Sequence, residues 1–255
     1  MILVRRPAAI PKALARGAAV TQANCALRDG APAQALAGKL IFNLTKSIYG
    51  TRAVKKAFAD AQFEKCCFCE GVFNAHYVGD VEHYRPKGAI REANKLIYPG
   101  YYWLAFEFKN LFFACADCNQ YRKRDQFPLV DERVRARSHH DNVALEDPLI
   151  LDPSGPRDPR QHIRFFHDMP VGITDAGKRT IIALRLDREP LNKARRKLIR
   201  RLKDHVSTLR NLEHDPRPEI IDKVTLARLE LAEAVQPQAE FSAAAQDFLA
   251  GWAPP

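Results

Sequence analysis

The chain has 255 residues with 46% hydrophobic and 27% charged content, which is ordinary for a soluble globular protein with a real core. It has no apolar run of a membrane-spanning length, and "MILVRRPAAI" lacks the long apolar core and cleavage site of an export signal, so a cytoplasmic protein without disulfides is expected. The net charge of +10 favours a polyanionic partner, nucleic acid ahead of an anionic membrane, and no membrane partner is adopted.

Residues 1–30 contain Pro7 and Pro11 and read as an arm docked on the body. From Ala31 to Phe63, apolar residues recur at helical spacing (Leu36, Leu40, Ile41, Leu44, then Val54, Ala57, Phe58), and Gly50 divides the run into two helices. Residues 64–130 hold five of the six cysteines and read as short strands and loops, with the aromatic run Tyr101–Phe108 as core. A short helix is expected after Asp117, with Asp117 as its N-cap. Residues 131–160 read as loop, with His139 and His140 as loop histidines. "HIRFFHDMPVGIT" predicts a small hairpin.

Helix resumes at Asp175 and is expected to stop at Pro190. Leu191, Ala194, Leu198, Leu202, Val206 and Leu209 then make an apolar stripe, with Lys193, Arg195, Arg196, Lys197, Arg200, Arg201 and Lys203 on the other faces. That basic helix, 191–210, either tracks a nucleic-acid backbone or is simply solvated. Two further helices, 217–235 and 237–250, close the chain. The expected fold class is α+β, mainly helical. Its expected parts are an N-terminal helical region (1–62), a central core (63–130), and a loop, small hairpin and C-terminal helical region (131–255).

Cys66 and Cys69 form one C-x-x-C pair and Cys115 and Cys118 another. Four thiolates complete the tetrahedron of a structural zinc ion and leave no open position. Buried thiols or a redox pair are the competing readings, and two such pairs in one chain favour zinc. Cys67 is read as a spare thiol and Cys25 as a small core residue. The two pairs enclose 45 residues, Glu70 to Ala114.

In and just after that insert stand Glu82, His83, Asn110 and Asn119, followed by Arg122 and Lys123. These types suit metal-dependent hydrolysis of a phosphodiester. A neutral imidazole can take a proton from water. A carboxylate and an amide oxygen are hard ligands for a magnesium-like cation. Glu82 and His83 are neighbours, so a regular strand would point them to opposite sides, and both reach one metal site only if the backbone bends near Pro86 and Gly88. His76 is a further residue that could contact the site. Singly, each of these residues has a bland reading as a core histidine, a turn residue or a helix cap.

The order C-x-x-C, Glu82-His83, Asn110-Leu111, then C-x-x-C-Asn119-x-x-x-Lys123 resembles the HNH endonuclease family with its ββα-metal fold. "CCFCEG", "GDVEHYRPKG" and "EDPLILDP" are similar to the HNH proteins of bacterial anti-phage systems, above all the HNH subunit of Septu and retron-associated systems. The resemblance covers about Phe63 to Leu191. It implies a zinc-stapled nuclease core flanked by helices. His83 would be the general base, Glu82 and Asn119 the ligands of a catalytic Mg²⁺ or Mn²⁺, and Asn110 the residue that orients the base and its loop. Glu82 stands where Asp is commoner, and Asn119 where many members have His. Arg85, Lys87, Arg122 and Lys123 would contact phosphates. The implied partners are nucleic acid, DNA ahead of RNA, and an ATPase subunit. The competing reading from another class is a zinc-knuckle module that binds nucleic acid or protein and cuts nothing.

Overall fold

The computed structural model describes residues 1–73, 79–92 and 95–251. The chain is α+β, with about half of it helical. In chain order come α1 (Gly17–Gly30), α2 (Pro32–Leu36), α3 (Lys46–Tyr49), α4 (Arg52–Ala61), β1 (Gly79–His83), β2 (Ile90–Glu92), β3 (Lys95–Ile97) and β4 (Leu111–Cys115). A π-helix, Asp117–Lys123, follows β4. Then come β5 (Ile163–Phe166), β6 (Met169–Gly172), α5 (Asp175–Leu184), α6 (Glu189–Leu212), α7 (Pro218–Ala234) and α8 (Ser242–Leu249). Among the described residues no helix is long and apolar enough to cross a membrane.

The element that places the site is a two-stranded antiparallel sheet, β1 against β4, with Gly79 opposite Cys115 and His83 opposite Leu111. Every residue of β4 is buried. Side chains alternate between the faces of a strand, so β4 serves two cores at once. Phe112 and Ala114 join the main core with Ile150, Ile163, Leu184 and Phe241. Leu111 and Phe113 join a second core with Val54 and Phe58 of α4 and with Ile48 and Tyr49 of α3. Each such aromatic or aliphatic side chain contributes about 1.5–3 kcal/mol on burial. The main core draws residues from the whole length of the chain, from Met1 to Ala244.

Several elements differ from the sequence reading. The arm of residues 1–30 ends in a full helix, α1. The first helix expected after Ala31 is broken. Gly38 adopts φ +69°, a left-handed conformation open to glycine, and α2 ends there. Leu36 and Ile41, expected on a buried face, are exposed. Pro190 does not stop a helix. It lies in the first turn of α6, where its missing N–H leaves no bond unmade. Arg195 is buried rather than solvated, with its guanidinium over the rings of Phe165 and Phe241. The expected hairpin forms as β5 and β6.

The C-terminal helices are tied to the core by buried carboxylates. Asp247 of α8 accepts from Arg160, Arg164 and the Phe165 backbone N–H. Glu70 accepts from the Ser242 hydroxyl and the Ala243 N–H.

Candidate active site

The four cysteines of the two pairs meet. Cys66, Cys69, Cys115 and Cys118 are buried, and their sulfurs all lie within 4.8 Å of one another. Zn–S bonds of about 2.3 Å in a tetrahedron would put sulfurs about 3.8 Å apart. The Cys69–Cys115 separation is 4.0 Å, so the group fits zinc. The Cys118 backbone N–H donates to Cys115 Sγ at 3.3 Å, and Arg188 Nη2 donates to Cys118 Sγ at 3.4 Å. A cation beside four thiolates offsets their negative charge. Arg188 is held there by Asp117, 2.5 Å away. Asp117 is therefore not the expected N-cap, since its carboxylate is taken by Arg188 and Arg122. Cys67 is buried beside the cluster and outside the ligand set. Cys25 is only half-buried, on α1.

The π-helix runs from this cluster along the edge of β1 that β4 leaves unpaired. In an antiparallel pair, alternate carbonyls point away from the partner strand. Two carbonyls of β1, on Val81 and His83, receive side-chain donors from the helix: Asn119 Nδ2 at 3.4 Å and Lys123 Nζ at 3.0 Å. Lys123 is fully buried, and its Nζ lies 2.7 Å from Glu82 Oε1. The buried Oε1 thus has the Lys123 ammonium as its ion-pair partner. Burial pushes the Glu82 carboxyl up, and the Lys123 charge pulls it back.

His83 is buried on the other face of β1, edge-on to the Tyr49 ring at 4.6 Å. Its Nε2 lies 2.9 Å from the Ala105 carbonyl oxygen. A carbonyl only accepts, so Nε2 carries the proton and Nδ1 keeps its lone pair. Lys87 Nζ stands 3.4 Å from Nδ1. Burial first, and then the Lys87 charge, hold the imidazole well below its ordinary range. It is neutral at neutral pH.

Glu82 and His83 do leave β1 on opposite sides, towards Lys123 and Tyr49. Both nevertheless line one cleft of about 370 Å³, because it lies along the free edge and the end of β1. The other walls include Lys87, Gly88, Asn119, Gln120, Arg124 and Asp125. The loop that carries Lys87 is held by main-chain bonds from Gly100 to Gly88 and from Tyr101 to Pro86. A Cβ on Gly100 would meet the Pro86 carbonyl oxygen at 2.6 Å, so only glycine lets these segments approach.

Asn110 lies behind the cleft. Its Oδ1 accepts from the Arg85 N–H at 2.7 Å, and its Nδ2 donates to the Arg85 and Leu104 carbonyls at 3.0 and 3.1 Å. It clasps the main chain two residues beyond His83.

The chain is similar to the Septu protein PtuB of Bacillus mycoides (strain KBAB4). Identity is 31% over 176 residues, and the match takes in 64% of this chain and 59% of that protein. The chain thus spans about three fifths of the length of the curated relative it matches. No family model and no solved structure matches it.

Of the residues expected at the site, the structure brings Glu82, His83, Lys87 and Asn119 to the cleft. Lys123 is close but sealed behind Glu82, with no surface to offer a phosphate. Arg85 is turned away: it pairs with buried Glu146 at 2.9 Å and lines a different cavity. Arg122 pairs with Asp117 and does not line the cleft. His76 lies outside the described residues. The sequence reading missed Gln120, Arg124 and Asp125. Arg124 continues the basic run of Arg122 and Lys123, which was the available signal.

Proposed function

We propose that this chain is a metal-dependent endonuclease of the HNH kind, hydrolysing phosphodiester bonds in nucleic acid, DNA ahead of RNA. The observation that carries the reading is one cleft holding a neutral imidazole whose Nδ1 keeps its lone pair and faces Lys87 Nζ at 3.4 Å, a buried carboxylate and an amide side chain. Similarity to the Septu protein PtuB supports a place in an anti-phage defence system. An ATPase partner and a cytoplasmic location complete the proposal.

The residues fit a hard divalent cation. Glu82 Oε1 is a buried carboxylate oxygen whose neighbour is the Lys123 ammonium at 2.7 Å, and Asn119 Oδ1 has no partner among the described residues. These two side chains would hold Mg²⁺ or Mn²⁺. When bound, such an ion supplies charge neutralisation at the scissile phosphate and the departing oxygen.

His83 Nδ1 takes a proton from the attacking water. Its Nε2–H, donated to Ala105, fixes the ring's tautomer and orientation. Lys87 and Arg124 are the cations of the cleft and would contact the phosphate. Asn110 holds the turn after β1, so that His83 and Lys87 keep their spacing. The four-cysteine zinc cluster holds the π-helix, and with it Asn119, against β1.

The test is a nicking assay on supercoiled plasmid and on structured RNA, with Mg²⁺ or Mn²⁺ and with EDTA. The proposal expects metal-dependent cleavage that EDTA abolishes. Binding without cleavage, alone and with an ATPase partner supplied, would favour the zinc-knuckle binding module instead.

A further inference from the structure

A second group of ligating side chains lies outside the cleft. Asp29, near the end of α1, meets His139 and His140, which are more than a hundred residues away in the chain. His140 Nε2 is 3.0 Å from Asp29 Oδ1, and His139 Nε2 is 3.3 Å from Oδ2. All three ligand atoms lie within 4.8 Å of one another. The two imidazole centroids are 4.0 Å apart.

Two neutral rings gain only two partly exposed hydrogen bonds to Asp29, worth about 0.5–1.5 kcal/mol each. A cation between the three ligands would hold both rings against the one carboxylate more firmly than those bonds do.

The surroundings resemble a metal site in a second respect. A ligating histidine usually hydrogen-bonds through its other ring nitrogen, and this fixes the ring. His139 Nδ1 lies 2.8 Å from the Tyr102 hydroxyl. Tyr102 is itself held, buried and stacked on Phe42 at 4.2 Å. Among the described residues one competing cation meets Asp29, Arg28 Nη1 at 3.3 Å, on a partly exposed side chain that can turn away.

We infer that Asp29, His139 and His140 form a second metal site, which takes Zn²⁺ through two imidazoles and one carboxylate and leaves a fourth position for water. Nitrogen and carboxylate donors with an open position suit zinc better than magnesium. The ion would join the end of α1 to the loop of the two histidines. It would also brace the segment behind the base, since Tyr102 touches His139 and Ala105 touches His83. The inference does not depend on the nuclease reading.

The experiment counts zinc per chain by native mass spectrometry on the full chain loaded with excess Zn²⁺ and then desalted. Wild type is expected to hold one more ion than the His139→Ala/His140→Ala double variant, while both keep the ion of the four cysteines. Tyr102→Phe should weaken the extra ion about tenfold in competition with a chromophoric chelator, leaving the cysteine-bound ion unchanged. Equal zinc counts in wild type and the double variant overturn the inference. So does an extra ion whose affinity is the same in wild type and Asp29→Asn.

Discussion

Replacing Lys123 with methionine tests how the carboxylate of the cleft is held. Lys123 is fully buried, 2.7 Å from Glu82 Oε1, and its Nζ donates to the His83 carbonyl at 3.0 Å. Removing one member of such a pair costs about 3–5 kcal/mol if the other stays charged. Glu82 has an escape, because it can take up a proton. From the ordinary carboxyl value of 4.5, protonation at pH 7 costs about 3 kcal/mol. Lys123→Met keeps the apolar stem, so the expected loss at pH 7 is about 3 kcal/mol, or about 6–12 °C in Tm for a chain of this size. At pH 5 the same protonation costs less than about 1 kcal/mol, so the deficit against wild type should shrink. Urea unfolding of zinc-loaded wild type and variant at both pH values measures it. A deficit below about 1 kcal/mol at pH 7, or one equal at both pH values, would refute the ion-pair account.

Asn110→Ala removes three hydrogen bonds to partly buried main chain and should cost about 2–4 kcal/mol in urea unfolding. It should also lower kcat at temperatures where the variant is folded, and an unchanged kcat would remove the positioning role. Lys87→Met removes a charge that depresses the His83 pKa, so that pKa should rise towards its ordinary value. The base works only when neutral, so the acid limb of the pH–rate profile should move to higher pH. A limb that stays put or moves down counts against Nδ1 as the base. Cys118→Ala should lose the cysteine-bound zinc and most of the folded state, read by metal content and by circular dichroism. A stable, zinc-free fold would contradict a structural ion.

The cysteine pairs were legible because two C-x-x-C pairs in one chain favour a shared four-sulfur site over buried or redox thiols, and the four sulfurs do meet. The β5–β6 hairpin and helices α6, α7 and α8 were legible because their apolar periods are long or sharply punctuated. The region around α2 was not. Its apolar residues keep a helical spacing, but one glycine at positive φ breaks the run and leaves Ile41 in solvent. Pro190 was misread because proline ends a helix interior yet starts a first turn equally well. At the site, residue types were readable and directions were not. Lys123 looked like a surface cation in a basic run, and only the packing of the π-helix on β1 shows that it is sealed against Glu82. Arg85 looked like its neighbour Lys87, yet the two point into different cavities. His139 and His140 were read as loop residues, because their partner Asp29 is distant in sequence.

The central claim is that His83 is the base of a metal-dependent nuclease. The most direct measurement is plasmid and RNA cleavage by His83→Ala beside wild type, with Mg²⁺, at equal zinc content and equal circular dichroism. The account predicts that wild type cuts and that the variant keeps its fold and zinc but loses cleavage, by a factor of at least about 10². Cleavage retained at the wild-type rate in a folded, zinc-loaded variant would contradict it.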